Sequence, residues 1–152
     1  MSIVQGATTT FMQNLLNGQE NFTTGTYYIA LYNANANLDQ TTTAYTTSNE
    51  VTGTGYTAGG KPLTITVTPT IDNQYNTAYV SFSNVTWNPA NFTARGALVY
   101  NHTTNAACFV LNFGSDKTCN SSFTVQFPAA TSTTAILSIS SYTSANIISS
   151  GD

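Results

Sequence analysis

The stretch YYIALYNANANLDQTTTAYTTSNEVTGTGYTAGGKP, residues 27–62, decides the fold of this chain. Aromatic and aliphatic residues fill positions 27–32, and alternate side chains of a β-strand point to opposite faces. Residues 27, 29 and 31 are expected on one face of this strand, and residues 28, 30 and 32 on the other. A long loop of Thr, Asn and Gly follows, and it can be ordered only by packing on another surface.

The same period of two recurs along the chain and predicts further strands in residues 63–68, 78–82, 109–113, 123–127 and 136–140. The uninterrupted apolar segment at 96–100 indicates a more fully buried strand. Pro69 is expected to end the strand at 63–68, and turn residues at Asp72-Asn73, 87–89 and 113–116 separate the others. The pattern predicts an all-β, antiparallel β-sandwich, jelly-roll or immunoglobulin-like, of roughly eight strands.

One short helix is predicted near the N-terminus, within residues 7–17. Phe11 and Leu15 stand four residues apart on one helical face, a Thr at 8–10 can cap the start, and Asn17-Gly18 can end the helix. A chain of 152 residues fits one domain. We therefore divide it into an N-terminal arm with the helix (1–21), the β-sandwich (22–141) and a C-terminal tail (142–152).

The composition is unusual in its lack of charge. Charged residues make up 6% of the chain, against about 25% in an ordinary soluble domain. A net charge of −3 with three basic residues cannot neutralise a row of phosphates, so we expect no nucleic-acid partner. There is no apolar run long enough to span a membrane and no signal-peptide pattern, so we expect no membrane partner and a chain made and kept in a cytoplasm.

Residues that could carry chemistry are few. The single His, His102, lies in a predicted turn, and the six acids are scattered without a calcium-loop or paired-carboxylate pattern. Cys108 is expected on a strand and Cys119 in the loop after it, both as free thiols. We expect no enzymatic activity, no cofactor and no metal.

Arg95, the only arginine, precedes the most apolar strand, and a guanidinium near a core needs a carboxylate. Glu50 is its expected partner, and this structural pair would fix the long loop to the sheet. The glycines at 53, 55, 59 and 60 match no phosphate-binding motif, so we interpret them as residues that supply positive φ angles in tight turns.

Aromatic residues exceed the number that one small core needs, and aromatic residues are enriched at protein interfaces. They also stack on sugars, so a glycan-binding surface is an alternative. Apolar residues near both ends lie outside the strand pattern and could anchor the protein to a partner. The candidate interface residues are Phe11, Leu15, Tyr45, Tyr56, Trp87, Phe92, Tyr142, Ile147 and Ile148.

Three segments together resemble a family of small structural proteins from the virions of tailed bacteriophages. They are residues 27–64, with an ALY strand and an NEV.GTGY.AGG loop; FTARGALVYN at 92–101; and ACFVLNFGSDKTCNSSFTVQFPA at 107–129, which resembles a hairpin of the family. The order and spacing match over roughly residues 22–130. Gly96 departs from the pattern, in which this position carries a bulky aromatic residue.

The resemblance implies a non-enzymatic part of the virion, assembled in the cytoplasm of the host bacterium. The first expectation is a capsid decoration or cement protein that binds the major capsid protein as a homo-oligomer. The alternatives are a tail, neck or fibre-associated virion protein that contacts the host surface, and a carbohydrate-binding β-sandwich module.

Overall fold

A computed structural model describes residues 2–141 and 151 of the chain. Within this part the chain forms ten strands and one helix, and all pairings between the strands are antiparallel. The elements are β1 (Gly6–Ala7), α1 (Thr9–Leu16), β2 (Tyr27–Tyr32), β3 (Lys61–Pro62), β4 (Ile65–Asp72), β5 (Thr77–Phe82), β6 (Val85–Trp87), β7 (Phe92–Asn101), β8 (Ala107–Cys119), β9 (Phe123–Val125) and β10 (Leu137–Ser140).

The strands form three sheets with the orders β1-β8-β7-β2-β3, β10-β5-β4 and β6-β9. All three sheets contribute to one apolar core, for example through Ile29, Val80 and Trp87. The prediction of an all-β, antiparallel, sandwich-like fold with one short helix is confirmed. Two of the ten strands, β1 and β3, are only two residues long, which accounts for the lower number expected from the sequence.

The central part of the five-stranded sheet is buried on both faces, whereas the second half of β8 is largely exposed. One face of β2 adds Tyr27, Ile29 and Leu31 to the main core, as the alternation predicts. The opposite face belongs to a second apolar cluster, in which Ala36 and Leu38 of the long loop cover it. The loop is therefore ordered by packing on the sheet. Residues 96–100 of β7 are apolar because both faces of this part of the strand are covered, whereas positions 93 and 95 near its start reach solvent.

The predicted helix is confirmed with its caps. The hydroxyl oxygen of Thr8 accepts a hydrogen bond from the backbone N–H of Phe11 at 3.0 Å. The helix ends at Leu16 with Asn17 as its C-cap, and Gly18 follows with φ of 71°. The segment before it is part of the same fold, because β1 pairs with β8 and the Thr8 hydroxyl donates to the carbonyl of Ala107 at 2.9 Å.

Two strands continue past the residues predicted to end them, and in both the pairing is irregular at that point. β4 continues through Pro69, which an edge strand tolerates, and its pairing with β5 shifts in register between Val67 and Thr70. β8 continues through Gly114, whose φ of 79° accompanies an irregular pairing with β7. Cys119 therefore ends a strand instead of lying in a loop, and both cysteines are free thiols.

The strand that follows, β9, pairs with β6, so residues 107–129 do not form the hairpin that the resemblance implied. Gly96 is explained by its surroundings. A Cβ atom there would lie 2.5 Å from the carbonyl oxygen of Leu111 and 2.9 Å from a methyl carbon of Ile3. Ile3 occupies the space beside this strand, which leaves no room for the aromatic residue of the family pattern.

Candidate protein interface

Part of the exposed surface of α1 is apolar. Phe11 points into the main core, and Leu15, four residues later, is half-buried beside it. Met12 and Leu16 form the next row of the same helix, with 47% and 89% of their surface exposed. A helix that packs on a core from one side normally carries polar residues on the other, so this second apolar row has no role in folding.

The three-stranded sheet continues this surface. Ile71, Ala78 and Ile139 are paired across β4, β5 and β10, so their side chains lie in a row on one sheet face. Val80, two residues after Ala78, lies on that same face and is part of the main core. Ile71 and Ile139 are nevertheless 71% and 51% exposed, because the core-facing side of the sheet extends beyond the part that the core covers.

A groove of about 350 Å³ separates the helix from β10. Phe11, Leu15 and Leu137 line it together with the exposed Met12, Leu16 and Ile139, and no charged residue does. The first charge along the sheet is Asp72 beyond Ile71, whose carboxylate accepts a hydrogen bond from the Ser132 hydroxyl that lowers its pKa. We call the surface formed by Met12, Leu15, Leu16, Ile71, Ala78 and Ile139 the apolar shelf.

The shelf holds four of the six large hydrophobic residues exposed in the described part of the chain. Scattered exposed hydrophobic residues are ordinary on protein surfaces, but a contiguous group marks an interaction site. Leu15 is among the interface residues predicted from the sequence, and the other five residues of the shelf are not. The exposure of these residues depends on how far the core covers the helix and the three-stranded sheet, and a sequence pattern does not contain this information.

Several predicted interface residues have other roles. Phe11, Trp87 and Phe92 are buried in the main core, and of these three only Phe11 also lines the groove. Trp87 and Phe92 pack edge to face at 6.5 Å, the kind of aromatic pair that stabilises an interior. The predictions for Tyr142, Ile147 and Ile148 lie outside the described residues.

The predicted pair of Arg95 with Glu50 is wrong. Arg95 Nε donates to Asp116 Oδ1 at 2.8 Å, and the two side chains are 36% and 50% exposed. The two residues lie on adjacent strands, β7 and β8, near the irregular pairing at Gly114. This is the only ion pair within the described residues, and its exposure makes it a weak one.

Glu50 does fix the loop, but through tyrosines. Its Oε2 accepts from the hydroxyl of Tyr45 at 2.7 Å, and its Oε1 accepts from the hydroxyl of Tyr56 and the backbone N–H of Gly59, both at 2.7 Å. The Tyr56 oxygen in turn accepts from the N–H of Leu31 at 2.8 Å. One buried carboxylate thus joins three points of the loop to strand β2, which assigns Tyr45 and Tyr56 a structural role.

Burial raises the pKa of Tyr45 and Tyr56, and the hydrogen bond that each donates to Glu50 raises it further. Tyr100 closes the same network, because its ring stacks on Tyr45 and its hydroxyl donates to the carbonyl of Gly59 at 2.8 Å. Burial also raises the pKa of Tyr100 to about 12. These tyrosines therefore hold their protons as donors in the folded protein.

A second buried carboxylate, that of Glu20, was not singled out from the sequence. Its Oε2 accepts from the Tyr27 hydroxyl at 2.8 Å and from Asn101 Nδ2 at 3.0 Å, whereas Oε1 has no partner within the described residues. Burial, and then the nearby Glu20 charge, raise the pKa of Cys108. The Cys108 thiol therefore stays protonated, and a protonated thiol is a poor nucleophile.

Other sources of chemistry are sparse in residues 2–141. His102 is exposed and stacks on Tyr28 with ring centres 3.9 Å apart, and no group of three metal-ligating side chains assembles there. Among the described helices none has the length and apolar character needed to cross a membrane. Comparison with protein-family models, with curated proteins and with solved structures found no match.

Proposed function

We propose that this chain is a non-enzymatic structural protein of a tailed-bacteriophage virion, bound to the major capsid lattice as a decoration or cement protein. The virion assignment is supported by the resemblance of residues 22–130 to that family. The observation that carries an assembly role is the apolar shelf, a charge-free surface outside the core.

The energetics of the shelf favour a partner. Full burial of a Leu, Ile or Met side chain stabilises by roughly 1.5 to 3 kcal/mol. The four most exposed residues of the shelf have between 47% and 89% of their surface exposed to solvent. Covering them would release about 4 to 8 kcal/mol, on the scale of the cost of bringing two proteins together. Repetition of such a contact over a symmetric lattice multiplies the affinity.

A tail, neck or fibre-associated position is the alternative within the virion, and the same shelf would serve there. The carbohydrate-binding alternative has less support, because Trp87 and Phe92 are in the core and Tyr56 binds Glu50. Copy number separates the two virion positions, since a capsid lattice offers on the order of hundreds of equivalent sites and a tail or neck only a few.

Quantitative mass spectrometry of purified particles tests the proposal. We expect this chain at a copy number comparable to that of the major capsid protein. A few copies per particle would assign it to the tail or neck, and its absence from particles would overturn the virion proposal. Removal of residues 1–18 is not a suitable binding test, because Phe11 is part of the core and the truncated chain would lose stability.

A further inference from the structure

We propose that the partner covering the apolar shelf is a second copy of this chain, and that two shelves pack face to face about a two-fold axis. This inference names the partner of the surface described above and rests on the proposed function only in treating the shelf as a protein interface.

The lack of charge on the shelf favours a second copy. Neither α1 (TTFMQNLL) nor β10 (LSIS) carries a charged residue, and Asp72 stands at the rim. Complementary charges across an interface select one partner over others. The shelf has no charged group that could select a partner in this way. Two copies of a chain with a net charge of −3 can meet through this surface without placing like charges in the contact.

The shape of the shelf is suited to a two-fold contact. A two-fold interface uses the same patch on both subunits, so the patch must complement itself. The groove between α1 and β10 has Met12 and Leu16 on its helix side, and Leu16 is 89% exposed there. In a symmetric pair the Leu16 side chain of each copy can enter the groove of its partner, where Ile139 and Leu137 provide apolar contacts.

Sedimentation equilibrium of the purified full chain, without particles, tests this inference over about 1 to 100 μM, a range in which weak dimers separate from monomers. We expect the wild type to dimerise. Leu16→Lys should weaken dimerisation roughly 100-fold, because a symmetric interface contains each substituted residue twice. Ile139→Lys, on the sheet side of the groove, should have a similar effect. Lysine in the last turn of α1 is compatible with the helix, so circular dichroism should show an intact fold.

Val4→Lys is the matched control, because Val4 is 43% exposed and its N–H bonds to Leu38 in the second cluster, away from the shelf. Its dimerisation should equal that of the wild type. A monomeric wild type, or an equal effect of Val4→Lys and Leu16→Lys, would overturn the inference.

Two further results would also overturn it and would identify another occupant. If only the chain truncated after Ser141 dimerises, residues 142–152 cover the shelf in the intact protein. If a monomeric wild type binds particles and Leu16→Lys does not, a different virion protein occupies the shelf, and the proposed function stands without self-association.

Discussion

Glu50→Ala is expected to destabilise the protein more than any substitution of an exposed acid. The change removes the acceptor for three hydrogen bonds, from Tyr45, Tyr56 and Gly59. A donor left unsatisfied costs about 1 to 3 kcal/mol when it is buried, and the partly exposed Tyr45 can turn to water. The two remaining donors, Tyr56 and Gly59, should therefore lower the free energy of unfolding by about 2 to 6 kcal/mol, a large part of the roughly 5 to 15 kcal/mol of a typical domain.

Urea unfolding gives the magnitude, and limited proteolysis locates the effect. The 33–60 loop should become the first cleavage region in Glu50→Ala, because its attachment to β2 passes through this carboxylate. Glu50→Gln keeps an acceptor for Tyr56 and Gly59 but loses the charge, so it should cost about 1 to 2 kcal/mol. A loss below about 1 kcal/mol for Glu50→Ala, or cleavage elsewhere first, would refute the role assigned to this residue.

Three other predictions concern the rest of the fold. Arg95→Ala removes an exposed pair with Asp116, so it should change the free energy of unfolding by less than about 1 kcal/mol; a loss of several kcal/mol in urea would reveal a buried role. Tyr100 keeps its proton in the folded state up to about pH 12, against an ordinary pKa of 10.0. The unfolded chain binds fewer protons above pH 10, so stability falls there by up to about 1.4 kcal/mol per pH unit for this group; constant stability from pH 9 to 11.5 would contradict it. Gly96→Ala places a Cβ against the Leu111 carbonyl and should cost about 1 to 3 kcal/mol by overpacking; an unchanged thermal midpoint would contradict the close approach of the two strands at this position.

Local patterns gave the elements that depend on local physics. The strand at Tyr27–Tyr32 and the helix at Thr9–Leu16 follow from the period of their side chains and from the capping Thr8. The prediction that the strands end at Pro69 and near Gly114 is wrong, because an edge strand and an irregular pairing accept residues that a central, regular strand does not.

The site depended on tertiary arrangement and was therefore harder to predict. Arg95 was paired with the wrong acid because the register that places Asp116 beside it is not visible in the sequence. The aromatic content indicated an interface but not which rings would be buried, and Trp87 is in the core. The exposure of Ile71 and Ile139 depends on how far one sheet extends beyond its cover, and no sequence period encodes that distance.

Electron cryomicroscopy of purified particles is the most direct test of the assembly role. Density for this chain should appear on the capsid lattice, with Leu16 and Ile139 of the shelf buried against another protein chain. Two results would contradict the role proposed for this protein. One is a reconstruction in which all structural proteins are at full occupancy and no density belongs to this chain. The other is density for this chain with the shelf exposed to solvent.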